Sequence, residues 1–182
     1  MNEHNGLSAA ATALLVVQAQ GGDDEAINML YNAYFVPMKR FAVLRLKDAM
    51  ISEDLVQNVW LKAARRITRL QNPALFRSWL FRALRWEILD WLKQTRPELS
   101  ESLSHADTDQ AACLFDPISL VPVLASLAES EREVVELHYL NGLSVIETAL
   151  ALDIPEGTVK SRLSRARDAL RNTVYEEDNH ED

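Results

Sequence analysis

The chain has 182 residues, 48% of them hydrophobic, and a formal net charge of -8, which is enough apolar content for one packed domain or two small ones. Its five glycines, six prolines and few alternating apolar and polar runs argue against a β fold, and the single cysteine, Cys113, excludes an internal disulfide. The composition predicts an all-α protein, and a lone thiol suits a reducing compartment.

The apolar run Ala9 to Val17 has no Lys or Arg before it and is too short to span a bilayer, so direct membrane insertion is not expected and the chain reads as cytoplasmic. A first helix is predicted from Leu7 to Gln20, broken by Gly21-Gly22. Asp23-Asp24-Glu25 places negative charge at the start of a second helix, Glu25 to Leu46, in which Pro37 is expected to kink or split the run. Ser52 is expected to cap a third helix reaching Arg69, with Glu53 and Asp54 in its first turn. Asn72-Pro73 marks a break, and a fourth helical stretch follows to Arg96. Residues 1–96 thus form one predicted helical domain.

Two of these helices carry more than packing residues. The third has an apolar stripe of Val56, Val59, Ala63 and Ile67, with Trp60 at its margin, yet Leu61 falls opposite, among Asp54, Gln57, Asn58 and Arg65. A leucine in a polar face is a candidate interaction hot spot, although isolated surface leucines are also common. In the fourth, Trp79, Phe81, Arg82, Arg85, Trp86, Trp91 and Lys93 interleave aromatics with cations. Leu80, Leu84, Ile88 and Trp91 share one face; Trp79, Arg82, Trp86 and Lys93 share the other. Bases stack on aromatic rings while cations hold the backbone, a combination suited to single-stranded nucleic acid. Tryptophans at helical spacing also fill cores, the reading preferred for Trp91.

Residues 97–119 are acidic, mostly polar and without apolar period, as expected of a flexible linker. Helices resume at Leu120 to Leu127 and Glu129 to Leu140, and Asn141-Gly142 separates them from LSVIETALALDIPEGTVKSRLSRAR, Leu143 to Arg167. This segment reads as two short helices around a tight turn at Leu152-Asp153-Ile154, with Pro155 at a first helical position. Val159, Leu163, Ala166 and Leu170 form the packing stripe of the second helix, and Ser161, Ser164 and Arg165 lie opposite. Such a helix-turn-helix points at duplex DNA, with Ser161, Ser164 and Arg165 near base edges, Lys160 and Arg162 near phosphates, and Thr158 also in the DNA-binding set. A basic amphipathic helix on a bundle surface is the plainer alternative. Residues 120–175 form the second predicted domain, and 176–182 an acidic, frayed tail.

Charge is segregated along the chain. Residues 36–96 carry 13 Lys/Arg against 5 Asp/Glu, whereas residues 97–140 carry 1 against 9. A basic block can bind phosphate locally while the acidic remainder suppresses indiscriminate DNA binding. No catalytic constellation, phosphate-binding glycine loop or metal-ligand spacing is present: His4, His105, His138 and His180 are scattered and none pairs with Cys113. The chain is therefore read as a non-enzyme without cofactor or metal.

Gly157 to Arg167, GTVKSRLSRAR, closely resembles region four of bacterial sigma factors of the extracytoplasmic-function type, and Ser52 to Arg96 resembles region two of the same family. The resemblance implies a dissociable subunit of core RNA polymerase, with region two binding the core enzyme and melting the minus-ten promoter element, and region four reading the minus-thirty-five element. It assigns Asp54, Gln57, Asn58 and Leu61 to the polymerase, and Trp79, Arg82, Arg85, Trp86 and Lys93 to minus-ten DNA. The loop Arg69 to Leu75 would take part in capturing a flipped base. Family habit implies an anti-sigma factor as a further partner. Two positions depart from the pattern: Leu84-Arg85-Trp86 stands where relatives usually have Ala-Arg-Asn, and Asp153 where they often have glycine. A regulator that binds DNA without recruiting polymerase would not need the face of Asp54, Gln57 and Leu61, and a third reading, a protein-interaction module, would be favoured by the absence of promoter-dependent transcription.

Overall fold

The computed structural model describes residues 7–95, 124 and 126–178, with the backbone alone for 172–178. The expected linker, Arg96, Cys113 and the end of the acidic tail lie outside the described residues, as do His4, His105 and His180. The chain divides into two units, Met1–Glu101 and Ser102–Asp182. All regular structure among the described residues is helical, in agreement with the predicted all-α class.

The first unit contains α1 (Ala9–Gln20), α2 (Asp24–Leu46), α3 (Ala49–Arg66) and α4 (Phe76–Thr95). Ser8 caps α1 by accepting from the Ala11 amide, and the helix stops where Gly22 takes a φ of 93°, a conformation glycine adopts without a Cβ clash. Asp23 caps α2 through the Glu25 and Ala26 amides. Of the two outcomes expected at Pro37, the split does not occur: α2 runs through it. Burial of Leu30, Tyr34, Met38, Phe41 and Ala42 along α2 offsets the hydrogen bond that proline removes.

The start of α3 differs from expectation in a second way. Asp48, not Ser52, is the cap, and its carboxylate accepts from Met50 N and Ile51 N at 2.9 Å each. Ser52 is a fully buried residue one turn inside, donating its hydroxyl to the Asp48 carbonyl at 2.5 Å. Aspartate and serine are comparable caps, and Asp48 takes the role because the helix starts at Ala49, directly after the α2–α3 turn.

α2 packs against α1, α3 and α4, and α3 packs against α4. Val16, Leu30, Met38, Phe41, Val56, Phe76, Leu80, Phe81 and Leu84 form the core. Aromatic edges organise it: Phe41 meets Phe81 at 5.6 Å, Tyr31 meets Trp60 at 5.3 Å and Tyr34 meets Phe76 at 6.1 Å. The Tyr34 hydroxyl is satisfied by Thr12 of α1 at 2.6 Å.

In the second unit, α5 (Glu129–Val135) and α6 (Val145–Leu152) both pack on α7 (Glu156–Asp178). The expected helix to Leu140 widens after Val135 into a π turn, Glu136–Leu140, closed by Asn141 N donating to the Glu136 carbonyl at 2.9 Å. Ser144 and Glu147 form a capping box at the start of α6, a pattern legible as S-x-x-E. Asp153 ends α6 in the left-handed region, φ 59° and ψ 45°, and makes the tight turn. Pro155 stands one position earlier than expected: its carbonyl accepts from the Thr158 and Val159 amides, so Glu156 is the first helical residue.

Asp48→Ala is expected to lower unfolding free energy by about 1 kcal/mol, the usual cost of removing an N-cap. Ser52→Ala should cost less, since the Ser52 amide still bonds the Asp48 carbonyl. Urea unfolding followed by circular dichroism measures both, and a larger loss at Ser52 would show that its buried hydroxyl, not the cap, dominates this end of α3.

Candidate functional site

The outward side of α3 is set by what its other side buries. Leu55, Val56, Val59, Trp60 and Ala63 face the core, so Asp54, Gln57, Asn58 and Leu61 are all exposed on the opposite side. Leu61 is 61% exposed, and nothing in the packing of the unit requires it to be apolar. Ion pairs flank this face. Lys39 of α2 meets Glu53 at 2.5 Å, and Lys62 pairs with Glu87 of α4. Gln57 Nε2 donates to Glu53 at 3.4 Å, a long contact that leaves its position loosely held.

α4 separates its residues more finely than the sequence implied. Leu80, Leu84 and Ile88 are buried, whereas Trp91, expected beside them, is only half-buried near the helix end. Of the opposite face, Trp79 and Arg82 are half-buried, and Trp86 and Lys93 are exposed; Arg85, at its flank, is half-buried. Trp79 lies 6.0 Å from Phe76, which joins it to the aromatic cluster. Trp86, 54% exposed, is left as the open aromatic surface of α4 beside cationic side chains. The connection from α3 to α4 makes one helical turn at Ile67–Arg69 and another at Pro73–Leu75, with Arg69, Gln71 and Asn72 exposed between and beside them.

In the second unit, Val159, Leu163 and Ala166 are buried and Leu170 half-buried, which turns Lys160, Ser161, Ser164 and Arg165 outward. Thr158 and Arg162 are half-buried at the edges of that face. Ser161 donates its hydroxyl to the Thr158 carbonyl at 3.0 Å, one turn back, and so retains lone pairs for an external donor.

A contact that sequence reasoning missed joins this face to α5. Arg165 Nε pairs with Glu131 Oε1 at 3.0 Å, across 34 residues of chain. The Glu131 side chain is only 15% exposed and the Arg165 side chain 61%, so the carboxylate sits in the wall and the guanidinium projects from it. Engagement through Nε leaves the two terminal nitrogens as a forward fork of donors, the geometry that matches the acceptor edge of guanine. Nothing in the spacing of Glu131 and Arg165 announces the pair, since it depends on how α5 packs across α7. Among the described residues, no group of three or more His, Cys, Asp or Glu is placed to hold a metal ion, and no helix is long and apolar enough to cross a membrane.

Residues 30–98 match the family described as Sigma-70 region 2, and residues 120–170 match Sigma-70, region 4. The chain is 31% identical over 168 residues to the ECF RNA polymerase sigma factor SigL of Mycobacterium tuberculosis, spanning 87% of this chain and 94% of that protein. The chain belongs to the extracytoplasmic-function sigma factors. It is 27% identical over 170 residues to the Xanthomonas campestris protein named "Probable RNA polymerase sigma factor RfaY", covering 87% of this chain but only 42% of that protein. Among solved structures, it is similar to the sigma factor RpoE of Bartonella quintana in complex with the anti-sigma factor NepR, with a TM-score of 0.57, 27% identity, and 78% and 92% of the two chains covered. In this sigma factor, the α3 and α4 faces lie within the region 2 span and the α7 face within the region 4 span.

The Glu131–Arg165 pair is expected to add only about 0.2–1 kcal/mol to stability, as exposed ion pairs do. A double-mutant cycle of Glu131→Ala and Arg165→Ala by thermal unfolding checks this. A coupling well above that range would make the pair structural rather than a mount for Arg165.

Proposed function

We propose that the chain is an alternative sigma factor that binds core RNA polymerase and directs promoter-specific initiation of transcription. The observation that carries the reading is the presence of both sigma regions, in order, in one chain. A DNA-binding regulator alone has no use for region two. Residues 1–96 form the unit that docks on polymerase and opens the minus-ten element; residues 120–175 read the minus-thirty-five element. Residues 97–119 serve as the linker between them, and 176–182 as an acidic tail.

Within this scheme Leu61 is the apolar anchor of the polymerase contact, framed by Asp54, Gln57 and Asn58. Arg165 reads a base with Thr158, Ser161 and Ser164 beside it, while Lys160 and Arg162 hold phosphates. Trp86 stacks on an unpaired base, with Trp79 on the same side of α4 and Arg82, Arg85 and Lys93 supplying positive charge along the strand. Trp86 in place of asparagine exchanges a hydrogen bond that names a base for a contact that tolerates several. The protein works in the cytoplasm, as a binding subunit without catalysis or cofactor of its own. An anti-sigma factor is its inhibitor, the same kind of partner that the RpoE structure contains.

Run-off transcription with purified core polymerase on genomic promoter fragments tests the reading directly; failure to start at defined sites would overturn it. Leu61→Ala should weaken core binding by about 1–2 kcal/mol at unchanged helicity, since the residue is exposed. Arg165→Ala should cost about 1–3 kcal/mol and relax base preference, while Lys160→Ala weakens all sequences alike and flattens the salt dependence.

Trp86→Ala should slow open-complex formation on duplex promoters and spare core binding, with much of the defect rescued by a pre-melted template. Normal permanganate reactivity of the variant complex would make Trp86 dispensable for melting.

A further inference from the structure

The last residue of α1 reaches far along the chain. Gln20 Nε2 donates to the Ile67 carbonyl at 2.9 Å and to the Leu70 carbonyl at 2.8 Å, so a single amide uses both its hydrogens on one turn of backbone. These two carbonyls bracket the helical turn Ile67–Arg69, which is itself closed by Leu70 N donating to Ile67 at 3.1 Å. On the other side of the connection, Asn72 Oδ1 accepts from Ala74 N at 3.1 Å and the Asn72 carbonyl from Leu75 N at 3.0 Å. Between these anchors lie the exposed side chains of Arg69, Gln71 and Asn72. The contacts of Gln20 are part-buried, so loss of the amide would leave the Leu70 carbonyl without this donor and the Ile67 carbonyl with the Leu70 amide alone.

α1 has no cationic residue and no part in either contact face described above. We infer that Gln20 is a positioning residue for the α3–α4 connection, fixing the approach of Arg69, Gln71 and Asn72 to an unpaired base of the minus-ten strand. The inference rests on the minus-ten role proposed for this unit. Gln20 itself touches no DNA; it sets the backbone from which the reading side chains project. A loop held at one end only samples several geometries, and a base pocket built on it loses discrimination before it loses affinity.

The test uses holoenzyme assembled from core polymerase and the full chain. Single-stranded oligonucleotides with the selected minus-ten sequence, and with each base replaced in turn, are titrated by fluorescence anisotropy. Gln20→Met keeps the side-chain length and removes both donors; it should lower the ratio of matched to substituted affinity about tenfold, with core binding and minus-thirty-five duplex binding unchanged. Gln20→Lys, which restores donors at a similar reach, should recover most of the ratio. An unchanged ratio in Gln20→Met would overturn the inference, as would a parallel loss of core binding and ratio, which would mark Gln20 as a general stabiliser. A wild-type holoenzyme without any base preference on the single strand would instead remove the minus-ten reading and the inference with it.

Discussion

Packing of α3 and α4 onto α2 fixes the rotational phase of both helices, and the outward chemistry of the first unit follows from that phase. Phe41 of α2 lies edge-on to Phe81 of α4, and Tyr31 of α2 edge-on to Trp60 of α3. Each residue along a helix turns the side chain by about 100 degrees, so a slip of one position in either contact would swing Leu61 or Trp86 toward the interior. A close-packed interior does not accommodate such a slip, because it would leave cavities where the rings now sit. The exposed leucine and the exposed tryptophan are thus placed by aromatic contacts on the far sides of their helices.

The second unit reaches the same end with fewer residues. Val159, Leu163 and Ala166 lock α7 against α5 and α6, and the left-handed Asp153 lets α6 turn into α7 without a longer loop. Both helices therefore keep a fixed relation, and the face of Lys160, Ser161, Ser164 and Arg165 inherits it. α5 contributes more than a packing surface. Its Glu131 holds one nitrogen of Arg165, which trades a small stabilisation for a direction.

Much of this was legible in the residue pattern because it depends on period alone. The helix phases, the buried stripes of α3, α4 and α7, the exposure of Leu61 and the turn at Asp153 all follow from spacing and residue type. What escaped was decided by competition or by distance. Asp48 displaced Ser52 as the cap because two acceptable cap residues lie four positions apart and only the geometry of the α2–α3 turn chooses between them. Pro37 failed to break α2 because burial on both sides of it outweighs a lost backbone bond. Trp79 packs on Phe76 one turn back along α4 and Trp91 stands near the helix end, while the Glu131–Arg165 and Gln20–Leu70 contacts join segments with no local signature.

Net charge gives the least guidance when taken as a total. A chain at -8 would be repelled by DNA as a whole, yet its cations are concentrated in residues 36–96 and on α7. Repulsion from the acidic segments acts over about a Debye length, ~8 Å at physiological salt, so it weakens free encounters with DNA more than contacts already held at close range. A subunit whose own affinity is kept low in this way depends on a larger partner to bring its reading faces to the duplex. The exposed polar face of α3, with Leu61 among its polar residues, is the surface proposed above for that partner. On the proposed docking through α3, promoter selection would follow from the order of contacts: docking would raise the local concentration of α4 and α7 near DNA, where single side chains such as the proposed readers Arg165 and Trp86 would decide between sequences.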